Sequence, residues 1–281
     1  MNDLLNVVIF TCEGREHLLG RMYESFGPVL RGIPHKRILA VDGTISPAAI
    51  QSVAPDVVVQ NYQRRGYIHS IINALALVDS ELFLWLEDDW KIAGNLDITS
   101  AAASLNAHPD WLQIRWSKTA PLKPEDTVIL PGIHHSSDGF SANPCLCRTA
   151  LVRQGFEFLR QAPKGNSLGV DGFENVLTRW TQEREWVCAV MPPGDEPTVK
   201  HLGDLESTGR QWHMTSSVEQ KPEAHLFNFG QPPSFLRRLW MVYRLSRVLV
   251  SLGWRQLWAN SAYEFAFRIV MGKVALKRSD P

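Results

Sequence analysis

Three adjacent carboxylates, Glu87, Asp88 and Asp89, close the stretch ELFLWLEDDW (81–90), directly behind the apolar and aromatic run from Leu82 to Leu86. Neighbouring carboxylates repel, and each is driven toward its protonated form unless a cation or a ring of donors compensates. A hard divalent ion does this well. Mg²⁺ takes one or two protein carboxylates and completes its octahedron with phosphate oxygens and water, so Asp88 or Asp89 could bridge a metal to a diphosphate. An acidic triplet can equally be a solvated loop after a strand. Its position favours chemistry, because other polar groups also follow apolar runs: Thr11, Cys12, Glu13 and Arg15 after NVVIFT, and Asp42 with Gly43 after RILAV.

Those runs define the elements that must hold the polar groups. NVVIFT (6–11), RILAVD (37–42), DVVVQ (56–60), ELFLWLE (81–87) and WLQIRW (111–116) are nearly continuous aliphatic or β-branched segments, as expected of strands covered on both faces. Between them, 15–31, 46–53, 67–79 and 97–107 carry helical spacing. Such alternation predicts an α/β fold, a mostly parallel central sheet flanked by helices, with ligands at the carboxyl ends of the strands. The chain lacks G-x-G-x-x-G after the first strand and G-x-x-x-x-G-K-[ST] throughout, which argues against a Rossmann dehydrogenase or a P-loop NTPase.

Four blocks, VVIFTCEGREHLLGRMYESF, RILAVDG, RRGYIHSIINALALVDSELFLWLEDDW and FSANPCLCRTALVRQGF, together resemble nucleotide-sugar-dependent glycosyltransferases of GT-A fold, particularly family-2-like members. The similarity spans roughly residues 5–210. It implies that Thr11, Glu13, Arg15 and Asp42 face the nucleotide, that Glu87 and Asp88 lie near ribose and sugar, and that Asp89 binds Mn²⁺ or Mg²⁺. The family's Arg-Asn pair corresponds here to Ile72-Asn73; Asn73 matches, and Arg64 or Arg65 is the substitute for the missing arginine. The acidic motif is Glu-Asp-Asp rather than Asp-x-Asp. Trp90, beside it, is a candidate for contact with ligand, whereas Trp85 reads as core.

The second half is expected to hold the acceptor and the base. FSANPCLCRTALVRQGFEFL (140–159) reads as a strand followed by a helix, and SLGVDGFENVLTRWTQE (167–183) as a helix with Asp171 and Glu174 near its start. An acid in the first turn is kept ionised by the helix dipole, which suits a general base, and it can equally be a cap. The resemblance implies an inverting transfer in which one of these deprotonates the acceptor hydroxyl, with Asp171 slightly ahead because the preceding Gly169-Val170 resembles the family's usual approach. It also implies a late metal-binding histidine, His201 in VKHLGDLESTG; the loop Gly203–Gly209 behind it could order over bound nucleotide sugar as mobile lids do. His134, His135, Cys145 and Cys147 match no standard zinc spacing.

The 281 residues, 44% hydrophobic, suffice for a large core, and 29 Lys plus Arg balance 29 Asp plus Glu, so global charge gives no reason to expect a nucleic-acid partner. The expected division is a catalytic domain over 1–225, with a nucleotide-sugar half at about 1–116 and an acceptor half at about 117–225, and a C-terminal helical extension over 226–281. That extension interleaves Leu, Trp, Tyr and Phe with arginines. It reads either as basic amphipathic helices at a membrane interface, with a glycan or lipid-linked acceptor, or as helices packed on the catalytic domain. Scattered cysteines and a start without a basic flank or cleavage site predict a cytoplasmic setting, peripheral to the inner face of the membrane if the extension binds it. The rival functions are a sugar nucleotidyltransferase, disfavoured by the missing Gly-rich signature, and a silent nucleotide- or glycan-binding relative.

Overall fold

The structure, a computed structural model, describes residues 4–63, 65–161 and 168–202, with 168–172 given by their backbone alone. The extension 226–281, Arg64 and the loop Gly203–Gly209 lie outside the described residues. Strands β1 (Leu5–Cys12), β2 (His35–Asp42), β3 (Val57–Asn61), β4 (Leu82–Glu87) and β6 (Trp111–Trp116) form where the apolar runs predict them. So do the helices α1 (Glu16–Leu30), α2 (Pro47–Val53), α3 (Tyr67–Leu75) and α4 (Ile98–Ala107). Ser46 caps α2 by accepting the Ala49 amide at 3.2 Å, and Asp97 caps α4 by accepting that of Ser100 at 2.8 Å. Helix α3 stops short of the expected residue 79, because Leu77 and Val78 turn back onto the carbonyls of Ala74 and Leu75.

The remaining described elements are β5 (Trp90–Ile92), β7 (Thr127–Leu130), β8 (Ile133–His135), β9 (Cys145–Arg148), α5 (Thr149–Gln161), α6 (Leu168–Gln182), β10 (Val187–Met191) and β11 (Val199–His201). A mixed sheet has the order β3-β2-β1-β4-β9-β6-β10-β8-β7, and β11 pairs separately with β5. Pairing is parallel among β3, β2, β1 and β4 and again between β6 and β10. Strand β9 runs antiparallel between β4 and β6, and β8 runs antiparallel between β10 and β7.

Alternate residues of each central strand enter different cores. Val7, Ile9, Leu39, Val41, Leu84 and Leu86 pack with Leu19, Met22, Phe26, Ala101 and Leu105, and so under α1 and α4. Val8, Phe10, Ile38, Phe83 and Trp85 pack with Ile68, Ile71, Val152, Phe156 and Leu177, under α3, α5 and α6. A sheet buried on both faces needs apolar residues at every position, hence the continuous runs. Trp85 is fully buried and stacks on Phe156 with centroids 5.8 Å apart, in keeping with its reading as core. Cys145 and Cys147 alternate along β9, their sulfurs 3.4 Å apart in the core. Among the described residues no helix is long and apolar enough to cross a membrane.

Candidate active site

Register brings the polar strand ends together. Phe10 pairs with Glu87 and Cys12 with Asp42, so the carboxyl ends of β2, β1 and β4 share one rim. One residue beyond these partners, the Thr11 hydroxyl donates to Asp88 Oδ2 at 2.6 Å, and the Asp88 amide donates to the Phe10 carbonyl at 3.1 Å. The chain then turns sharply, with Gly14 at φ +86° and the Arg15 amide donating to Cys12 O at 3.2 Å. That conformation favours a residue without Cβ. The turn carries Arg15, the residue before α1, back over the strand ends, where its guanidinium bonds Asp88 Oδ1 at 2.6 Å and also Asp89 Oδ2.

His201 reaches the same carboxylate from the other end of the chain. In the β5–β11 ribbon it lies opposite Trp90, and Leu202 donates its amide to the Asp89 carbonyl. His201 Nε2 thereby sits 3.0 Å from Asp89 Oδ2, its ring 4.6 Å from that of Trp90. Trp90 departs from its expected role: at 4% exposure it backs His201 and donates its indole N–H to Glu87 Oε2 at 3.3 Å, leaving little ring face for a sugar. The other Glu87 oxygen accepts the hydroxyl of Tyr67, the first residue of α3. Sequence reading missed Tyr67; its only signal is an aromatic residue opening a helix behind Gly66.

The three carboxylates have different electrostatic surroundings. Burial pushes Glu87 up to about 8, helped by the charge of Asp89 and opposed by the Tyr67 hydrogen bond. Burial also lifts Asp88 to about 7, against the pull of Arg15. Burial acts on Asp89 in the same sense, but the His201 hydrogen bond and Arg15 hold it below the usual carboxylate range. Asp89 is therefore the member that stays ionised most easily. Burial alone would lower Arg15, yet Asp88 and Asp89 raise it above the ordinary arginine value.

The other candidates lie nearby in differing roles. Asp42 is buried and spends Oδ1 on the Arg65 amide at 2.8 Å and Oδ2 on the Gly66 amide at 3.1 Å, so it fixes the approach to α3, where Arg65 itself is exposed. Exposed Glu13 accepts the Thr44 amide at 3.0 Å, and Asn73 donates to Asn61 Oδ1 at 3.2 Å. From α6, Glu174 accepts the Ala142 amide at 2.6 Å, and its charge acts on both Glu87 and Tyr67. The Asp171 side chain lies outside the described residues.

Among the described residues no group of three or more His, Cys, Asp or Glu is arranged to hold a metal by itself. A two-residue site completed by a ligand is a different matter. Asp89 Oδ1 is buried without a hydrogen-bond partner, and His201 addresses the same carboxylate. One carboxylate and one imidazole suit Mn²⁺, and Mg²⁺ less well. The residues present fit such an ion.

No family model and no curated protein matches the chain. Solved structures do. TarS of S. aureus is similar at 14% identity and a TM-score of 0.46, over 71% of this chain and 36% of TarS, so the chain spans about a third of that protein. A mannosyltransferase from Pyrobaculum calidifontis, solved with GDP-Man and Mn²⁺, is similar at 13% identity and TM-score 0.47, over 97% of this chain and 75% of its own. Glucosyl-3-phosphoglycerate synthase from Mycobacterium tuberculosis, solved with Mn²⁺, UDP-Glc and phosphoglyceric acid, is similar at 16% identity and TM-score 0.43, over 65% and 66% of the two chains.

Proposed function

We propose that the chain transfers a sugar from a nucleoside-diphosphate sugar to the hydroxyl of a glycan or lipid-linked acceptor, with inversion and with a divalent metal. One observation carries this reading: Thr11, Arg15, Asp88, Asp89 and His201, from separate segments of the chain, converge on a single rim at the carboxyl ends of parallel strands. Anionic ligands of α/β sheets bind at such rims. In this reading Asp89 and His201 hold the Mn²⁺ or Mg²⁺, which when bound supplies positive charge beside the departing diphosphate.

The chain's own groups do the rest. Thr11 fixes the Asp88 carboxylate by its 2.6 Å hydrogen bond, and Tyr67 and Trp90 orient Glu87 from two sides toward ribose and sugar. Glu174, anchored through Oε1 by the Ala142 amide, is the base that takes the acceptor's hydroxyl proton as the oxygen attacks the anomeric carbon. Asp171, in the first turn of the same helix, is the alternative base. The extension 226–281 supplies contact with the cytoplasmic face of a membrane through its arginines and aromatic residues.

The test is nucleotide release from a panel of UDP-, GDP- and CMP-sugars with Mn²⁺. Release from at least one UDP- or GDP-sugar is expected, reduced about a hundredfold or more in Asp89→Asn, since even the outer partners of metal ligands cost 10- to 100-fold when removed. Binding of nucleotide without release from any donor would favour a silent binding protein instead.

A further inference from the structure

The acidic triplet raises the question of which cation compensates it, and the chain already contains one. Arg15 is the only cation bonded to Asp88 among the described ion pairs, and it also bonds Asp89, with side-chain exposures of 12% for Arg15, 2% for Asp88 and 6% for Asp89. The oxygen it takes on Asp89, Oδ2, is the one that His201 Nε2 approaches at 3.0 Å. One atom, Arg15 Nη2, makes both ion pairs, and neither it nor the buried Nε is aligned for a hydrogen bond, so the guanidinium holds the carboxylates by charge and keeps donors in reserve inside the site.

We propose that Arg15 is a resident counter-cation that a divalent ion must displace from the Asp88–Asp89 pair, and that the displaced guanidinium then meets an incoming diphosphate. This rests on the metal-dependent reading given above. Two cations cannot share Asp89 Oδ2 at bonding distance without strong repulsion in a buried setting. Arg15 therefore weakens metal binding in the absence of nucleotide. A diphosphate offers the guanidinium a new anionic partner of matching fork geometry and removes that penalty, so metal and nucleotide bind with positive coupling. Arg15 is thus a positioning residue for donor and ion together. Its place one turn beyond β1, against a triplet that follows β4, makes the exchange a movement of one side chain.

The experiment needs no sugar donor. Free Mn²⁺ is titrated by electron paramagnetic resonance against the full chain, Arg15→Gln and Arg15→Lys, without nucleotide, after circular dichroism has checked folding. Arg15→Gln is expected to bind Mn²⁺ about tenfold or more tightly, because removal of the resident charge frees Asp89 Oδ2 for the ion. Arg15→Lys, which keeps the charge but on a shorter-reaching, more strongly hydrated ammonium that gives up the carboxylates more readily, is expected to bind more tightly than wild type by a smaller factor. Equal or weaker binding by Arg15→Gln overturns the proposal and leaves the glycosyltransferase reading standing. Should Arg15→Gln fail to fold, Arg15→Lys decides by the same comparison. Absence of Mn²⁺ binding in all three overturns both the proposal and the metal dependence.

Discussion

Glu174 has a structural tie and a catalytic assignment, and the two can be separated at one atom. Its Oε1 accepts the Ala142 amide at 2.6 Å, and a glutamine carbonyl oxygen can accept the same hydrogen bond while lacking the basicity to take a proton. Glu174→Gln is therefore expected to leave the melting temperature and the donor KM close to wild type while kcat falls about 10²- to 10⁴-fold, the range for loss of a general base. The rival is Asp171, three residues earlier and in the same helix. Steady-state kinetics of Glu174→Gln and Asp171→Asn side by side separate them: a heavy loss confined to Asp171→Asn would transfer the role. Sequence alone left this pair open because both acids sit near the helix start, and the α6 dipole favours either.

The elements that carry the rim are joined by polar bolts as well as by apolar packing, and one of these titrates. Arg115, on β6, donates to Ser136 Oγ at 3.1 Å and to Asp138 Oδ2 at 2.9 Å, and Lys123 also bonds Asp138. Asp138 thus ties the end of β6 to the segments on either side of the β7–β8 hairpin. Burial would raise its pKa, but the Lys123 hydrogen bond and the charges of Arg115, Lys123 and Lys118 bring it below the usual carboxylate value. A carboxylate with a depressed folded pKa adds stability above its unfolded pKa, near 4, and loses it as pH falls through the folded value. Asp138→Asn is expected to cost about 1–3 kcal/mol at neutral pH, as for a lost hydrogen bond to a charged group. The gap in melting temperature between the two proteins is expected to narrow progressively as pH falls from about 4 through the folded value; a gap of constant size across the whole acid range in which the protein stays folded would mean that packing rather than charge holds the bolt. The strand under it was legible, since Trp111, Leu112, Ile114 and Trp116 make WLQIRW a short, largely apolar run. Its bolt was not, because Arg115 and Asp138 are 23 residues apart in sequence and no local pattern pairs them.

Across the whole molecule, legibility follows the range of the interaction. Strands buried on both faces announce themselves by unbroken apolar runs, which is why β1, β2 and β4 and the rim at their ends could be read directly. Pairing direction leaves no such trace, and the antiparallel entry of β9 between β4 and β6 was not foreseen. The site divides in the same way: the acidic triplet is local, whereas Thr11 meets Asp88 across 77 residues and His201 meets Asp89 across 112. That wide spacing has a thermodynamic consequence. A ligand engaging the first turn, the β4 end and the β11 strand together ties the start of the described chain to its end, so global unfolding must release it. Mn²⁺ and a nucleoside diphosphate added together are therefore expected to raise the melting temperature by more than the sum of their separate effects. At about 100 times the dissociation constant the linkage is worth about 2.7 kcal/mol, a shift on the order of 5–10 °C for a domain of this size. Differential scanning fluorimetry with UDP and GDP, each with and without Mn²⁺, measures it. Strictly additive shifts for both nucleotides would mean that metal and diphosphate do not share the rim, whatever the chain's catalytic activity.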